Sequence, residues 1–246
     1  MMRLFRAAPT PVVTAPVLHI GDRVVPVELV ASPRARRLIL RADAVRGTVR
    51  VSLPPRVSKR AAMDFVEVQH GWIAARVNVW PEAIAFVPGA TIPFDGGNLQ
   101  IDWSAGRARG LVRHGDRLLA GGDVATLAGR VRRWLRAQAL ADMEPETHRL
   151  AARIGVRVAK VAVRDPAGRW GSCATSSAIA YSWRLILAPP EVRASVIAHE
   201  VAHLRHHNHG KDFWALAAEL NGGDPTPQRR WLARHGAALH WVGRDP

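Results

Sequence analysis

His199-Glu200-Val201-Ala202-His203 is the stretch whose reading decides this chain. Two imidazoles four residues apart with a glutamate directly after the first form half of a zinc-hydrolase site. On a helix, His199 and His203 lie one turn apart on one face, about 6 Å along the axis, so one metal ion can take a nitrogen from each. Glu200 is rotated to the flank of that face, where a carboxylate can accept a proton from water without being a ligand. By composition the five-residue pattern arises in roughly 2 of 100 chains of this length, so context must decide. Upstream, Ala188-Pro189-Pro190-Glu191 reads as a helix start, with prolines tolerated in the first turn and an acid at the positive end of the dipole. Val192, Val196, His199 and His203 follow at three- and four-residue steps, and Ile197, Val201 and Leu204 fill the neighbouring stripe. A buried, rigid site helix is expected.

A catalytic zinc usually has three protein ligands. Were the helix to continue, His206 would lie about 10 Å and His207 about 12 Å along the axis from His199, too far to share an ion. These two read as solvated residues or supports of the ligands. The chain must therefore turn first, and Asn208 and Gly210 tolerate the left-handed conformation that ends helices. His209 between them is the expected third ligand. The alternative is Glu219, beyond the apolar segment Phe213-Trp214-Ala215-Leu216, which would make a two-histidine, one-glutamate site.

The runs Arg169-Trp170-Gly171-Ser172-Cys173 and Trp183-Arg184-Leu185-Ile186-Leu187-Ala188-Pro189-Pro190, followed by the histidine motif, His209 and Phe213-Trp214, resemble the YgjP-like metallopeptidases. These are bacterial relatives of SprT- and Wss-type zinc proteases. The likeness is dense from about Trp134 to Trp231 and looser through Arg34-Ala35-Arg36-Arg37-Leu38 and Leu53-Pro54-Pro55. It implies zinc on His199, His203 and His209 with Glu200 as general base. Ser182 stands where the family usually has asparagine. His206 occupies the glycine position of the metzincin motif, so a metzincin assignment is disfavoured. The resemblance also implies a zincin plan in which the strand ending just before the site helix lies at the edge of the cleft, ready to pair with an extended peptide.

The expected fold class is α+β, a β-rich N-terminal region followed by a zincin-like metallopeptidase domain. Residues 1–16 read as a flexible N-terminus, 17–122 as the β-rich region and 123–246 as the catalytic domain. Val24 to Val30, Arg37 to Arg41 and Thr48 to Leu53 alternate as strands of an antiparallel sheet, with turn signals between them. A helix from Ser58, its N-cap, to about Val79 comes next. Strands follow between Ala90 and Leu119, with a flexible tip near Ala105 to Gly110. Asp123 caps a long helix that contains Pro145 and stops near Gly155. Val156 to Val163 and Ile179 to Leu187 read as strands around a polar loop, Asp165 to Ser177. No sequence repeat is evident.

Apolar residues make up 48% of the 246-residue chain, enough to bury a substantial core and too many for a disordered chain. No run approaches the roughly 18 apolar residues of a membrane span, and no secretory signal is read, so a cytoplasmic location is expected. The single cysteine, Cys173, excludes an internal disulfide and a cysteine-rich zinc site. The net charge of +15 invites a nucleic-acid partner. Yet the arginines are spread along the chain and only three of the 35 basic residues are lysines, which reads as solvated faces. Tyr181 is weighed as an oxyanion donor against a packed ring with a wet hydroxyl, and Asp212 and Glu219 as acids that orient a histidine. Trp170, Trp183, Trp214 and Trp231 read as core around the site. The function expected is zinc-dependent hydrolysis of peptide bonds, with protein or peptide substrates. The competing class is a nucleic-acid-associated protein, acting on DNA-linked proteins or binding with a structural zinc.

Overall fold

In the computed structural model, which describes residues 16–245, the chain divides into two compact units, Met1–Trp80 and Pro81–Pro246. The expected flexible stretch 1–16 lies outside the described residues except for Pro16. In the first unit, β1 (Val17–Ile20), β2 (Arg23–Ala31), β3 (Ile39–Asp43) and β4 (Thr48–Leu53) form a sheet of order β1-β2-β4-β3. The two outer pairs are antiparallel, but β2 and β4 run parallel, which corrects the expected all-antiparallel sheet. Turn residues announce reversals without saying which strand becomes the neighbour. Here the connection after Ala31 carries β3 to the far side, and β4 returns into the gap beside β2. Ser58 caps α1 (Lys59–Val68), its Oγ accepting from the Ala61 amide, and α2 (His70–Val77) follows after a break at Gln69. The expected single helix is thus two. Ala62, Val66, Ile73 and Val77 are fully buried, as are Val49 and Val51 on β4.

In the second unit, β5 (Thr91–Phe94), β6 (Gly97–Trp103), β7 (Leu111–His114) and β8 (Arg117–Ala120) repeat the connectivity of the first sheet. The order is β5-β6-β8-β7, with parallel β6 and β8 at the centre. The β5–β6 turn is Asp95-Gly96, with φ of 52° and 78°, the pair of positive angles that a tight two-residue hairpin requires. These strands belong to the second compact unit, so the division at Trp80 and Pro81 precedes the boundary expected between 122 and 123. The packing explains it: Ile92, Leu99, Ile101 and Leu118 share one core with Leu127, Val131 and Leu135 of α3 (Leu127–Arg153).

A short 3-10 turn, capped by Asp123, precedes α3. Leu127, Val131, Leu135, Ala139 and Met143 bury one stripe at four-residue steps, and the helix ends at Arg153, with Ile154 as its C-cap before the left-handed Gly155. A three-stranded sheet of order β10-β11-β9 follows, from β9 (Lys160–Arg164), β10 (Gly171–Cys173) and β11 (Ala178–Ser182). The strand expected from Val156 begins only at Lys160, and the expected polar loop contains β10. The strand expected over Ile179 to Leu187 stops at Ser182, and Trp183–Leu187 is a 3-10 helix. Every residue from Tyr181 to Ala188 is buried, so the run lacks the period that would separate strand from helix. Locally, Ser182 Oγ accepts from the Arg184 amide, and the Arg184 guanidinium pairs with Asp165 while donating to the Leu239 and Val242 carbonyls. Then come α4 (Pro190–Ala202), α5 (Lys211–Asn221) and α6 (Thr226–Leu239). The mixed α+β architecture agrees with the expected fold class. No described helix is long and apolar enough to cross a membrane.

Candidate metal centre

Helix α4 begins with Pro190 at its first position and Glu191 in its first turn, and buries Val192, Val196, Ile197 and Val201. Arg193, 4% exposed, is fixed by Asp142 of α3 and by Asp95 of the β5–β6 turn at 2.7 Å. The helix that carries His199 and Glu200 is therefore anchored at its start by two other elements.

The helix ends at Ala202, and His203 is its C-cap. The Leu204 and Arg205 amides donate to the Val201 and Ala202 carbonyls in a tightened last turn, and the Arg205 guanidinium donates to the carbonyl of Ile154. The chain thus turns before His206, earlier than expected. Neither Asn208 nor Gly210 is left-handed: Gly210 has φ −77° and caps α5, and its amide donates to the Asn208 carbonyl at 2.8 Å. That tight turn presents His209.

His199, His203 and His209 come together, with one ring nitrogen from each lying within 4.8 Å of the others. The Nε2 atoms of His199 and His209 are 3.1 Å apart. Two nitrogens bound tetrahedrally at about 2.0–2.1 Å from one zinc would be about 3.3 Å apart, so the His199–His209 pair already stands at ligand spacing, with His203 close by. The His203 Nδ1 lies 3.0 Å from the carbonyl of His206. A carbonyl only accepts, so Nδ1 carries the proton and Nε2 presents its lone pair. Burial, with the neighbouring His203 and His209, pushes His199 down to about 4, and burial lowers His203 as well. Both rings are neutral at pH 7, the state that ligates metal. Phe213, fully buried, underlies all three rings with centroids 4.9, 4.5 and 4.6 Å away.

Glu200 is 5% exposed, and burial raises its carboxyl to about 7 against a smaller opposing pull from Arg169. Gly171 on β10 lies against it: a Cβ there would come 2.5 Å from Glu200 Oε1. A cavity of about 250 Å³ reaches Glu200 and His199, lined also by Arg169, Trp170, Gln228 and Arg229.

Glu219 is exposed and outside the histidine cluster, and neither it nor Asp212 hydrogen-bonds to one of the three rings. His207 is exposed, and His206 contributes through its backbone. Tyr181 is fully buried, and its hydroxyl meets Thr147 Oγ1 at 2.9 Å. Thr147 donates to the Met143 carbonyl, so the tyrosine donates to the threonine and has no proton to offer an oxyanion. Burial, with the nearby Glu200, pushes the Cys173 thiol up to about 11, which keeps it protonated and inert. The strand preceding the site helix, β11, is central with neighbours on both sides. The edge beside Glu200 is β10, which corrects the expected placement.

The reading from sequence assigned no role in the site to Phe213, Gln228 or Arg229, and weighed Gly171 only within the run Arg169-Trp170-Gly171-Ser172-Cys173 as shaping the cleft. A glycine within an extended run signals close backbone approach, and that signal was available at Gly171. The family model described as "YgjP-like, metallopeptidase domain" matches residues 36–235. No curated protein and no solved structure matches the chain.

Proposed function

The chain belongs to the YgjP-like metallopeptidase family, and from that premise we propose that it is a zinc endopeptidase of the HExxH type, with Glu200 as general base. As a metallopeptidase it uses a metal ion and acts on proteins or peptides. His199, His203 and His209 would hold the ion; the observation that carries this reading is the convergence of their three ring nitrogens. When bound, zinc would polarise the scissile carbonyl and acidify water.

The protein's own groups supply the rest. Glu200, held near 7, can take a proton from water and return it to the leaving amine at little cost in either direction. Gly171 leaves room for that carboxylate beside β10. The outer edge of β10 is without a strand partner among the described residues, so an extended peptide can add to it. Phe213 and the His206 carbonyl hold the imidazoles in place for the ion.

The test combines metal analysis with hydrolysis of unfolded and of DNA-bound protein. Glu200→Gln is expected to keep its zinc and to lose turnover by about 10²-fold or more. Unchanged hydrolysis would remove Glu200 from the mechanism. His209→Ala is expected to lose most of its zinc, and near-stoichiometric retention would reopen the ligand set. The net charge of +15 supports a second reading, a nucleic-acid-associated protein with structural zinc. It predicts salt-sensitive DNA binding that survives Glu200→Gln, together with no hydrolysis of either substrate.

A further inference from the structure

Resting on the peptidase reading, we infer that the cavity beside Glu200 is a side-chain pocket that selects a carboxylate next to the scissile bond, with Arg169 and Arg229 as its specificity-determining residues. At about 250 Å³ it is smaller than the usual range for small-molecule sites and suits a single side chain. Trp170, Val196 and Leu232 line it together with His199 and Glu200, so whatever fills it lies beside the reacting groups.

Charge decides what fills it. Arg169 and Arg229 both line the cavity, and among the described residues neither guanidinium forms an ion pair or a hydrogen bond. Other arginines of this unit are satisfied: Arg184 by Asp165, Arg193 by Asp95 and Asp142. Asp224 feels the field of Arg229 without contacting it. Arg229 is held with its guanidinium carbon 4.5 Å from the centre of the Trp214 ring, which is in turn stacked on His209, so its position is fixed relative to the metal centre. Arg169 lies close enough to act electrostatically on Glu200. Even with Glu200 ionised, the two arginines leave the cavity with a positive balance. The buried Oε1 of Gln228 has no donor in reach and, as an acceptor, is suited to a backbone N–H of the occupant, leaving the carboxylate to the two arginines. A planar guanidinium matches a carboxylate with two parallel bonds, whereas a lysine in the pocket would meet two like charges. The carboxylate has two sources, an internal acidic side chain or the free end of a chain.

Binding is measured by calorimetry on full-length Glu200→Gln protein, with mass spectrometry confirming that the peptides stay intact. The probes are acetyl-Ala-Ala-X-Ala-Ala-amide, with X as Glu, Gln, Leu or Lys, and acetyl-Ala-Ala-Gln with a free or an amidated terminus. The Glu peptide is expected to bind about five- to tenfold more tightly than the Gln peptide, with Lys weakest. In a chain that also carries Arg169→Gln and Arg229→Gln, the Glu-to-Gln ratio should fall below twofold while the Leu peptide binds as before. A preference confined to the free terminus assigns the same pocket to chain ends. Glu and Gln binding within twofold together with no preference for the free terminus, Lys tightest, or a ratio that survives the double substitution overturns the inference. So does duplex DNA binding lost on the double substitution with no carboxylate preference, which would assign the arginines to phosphate. Cleavage of the peptides by Glu200→Gln protein would count against the general base alone, since the binding ratio is read separately.

Discussion

Glu200 carries a cost in stability that its proposed role explains. Its carboxyl ordinarily titrates near 4.5 and in the fold near 7, because burial disfavours the anion. A raised folded value means that the protonated acid is the better-accommodated form. Folding therefore loses stability as the pH rises from about 4.5 to about 7, on the order of 3 kcal/mol once ionisation is complete. In metal-free protein, Glu200→Gln should raise the melting temperature at pH 8 and leave it nearly unchanged at pH 4. An equal gain at both would show that ionisation is not the cause. At Gly171, substitution by alanine puts a Cβ against the same carboxylate. We expect kcat to fall at least tenfold with zinc content and KM little changed; wild-type kcat would refute the contact. The two residues differ in how much of them is readable from sequence. Glu200 is visible because its spacing is chemical, whereas a glycine at 171 can signal a close approach without saying that Glu200 is the group that approaches.

At the scale of elements, the site helix and the β5–β6 hairpin are legible because their signals are local: prolines and an acid at a helix start, Asp-Gly at a tight turn. The segment Trp183–Leu187 is not, because uniform burial erases periodicity and a tertiary ion pair sets the conformation. Arg184 joins that segment to Asp165 and to the end of α6 through the Leu239 and Val242 carbonyls. Arg184→Met should cost about 2–4 kcal/mol by denaturant unfolding, since it strands two carbonyls and a carboxylate. Burial acts to raise the Asp165 carboxyl, but Arg184 more than offsets it and holds it below its ordinary value. The stabilisation is thus present above the ordinary carboxylate range and fades as the pH falls through the depressed value. The penalty of Arg184→Met should shrink in acid, and a penalty independent of pH would sink the ion-pair account. Losing the end of the site helix was predictable in kind, because three histidines could not otherwise share an ion, but its position was not. The tightened turn at His203 does what Asn208 and Gly210 were expected to do.

For the whole molecule, the two four-stranded sheets share one connectivity although the sequence shows no repeat, so the resemblance between them lies in backbone path alone. Residue composition placed the chain among globular proteins but not its division, because strands β5 to β8 look as independent of the site as β1 to β4 until their packing on α3 is seen. Every residue assigned here to the metal centre and its cavity lies in the unit Pro81–Pro246. A fragment of residues 81–246 is therefore expected to fold cooperatively and to bind zinc as the full chain does, measured by thermal melting and metal content. Failure to fold would show that the unit Met1–Trp80 is needed for stability. The anchoring of Arg193 by Asp95 and Asp142 has a bearing on how the centre is assembled. It fixes the helix bearing His199 from outside the metal site, whereas His209 rides on a short connection between helices. His199 and His203 are thus held by α4 independently of His209, so a change in the short connection reaches one of the three donors and leaves the other two in register.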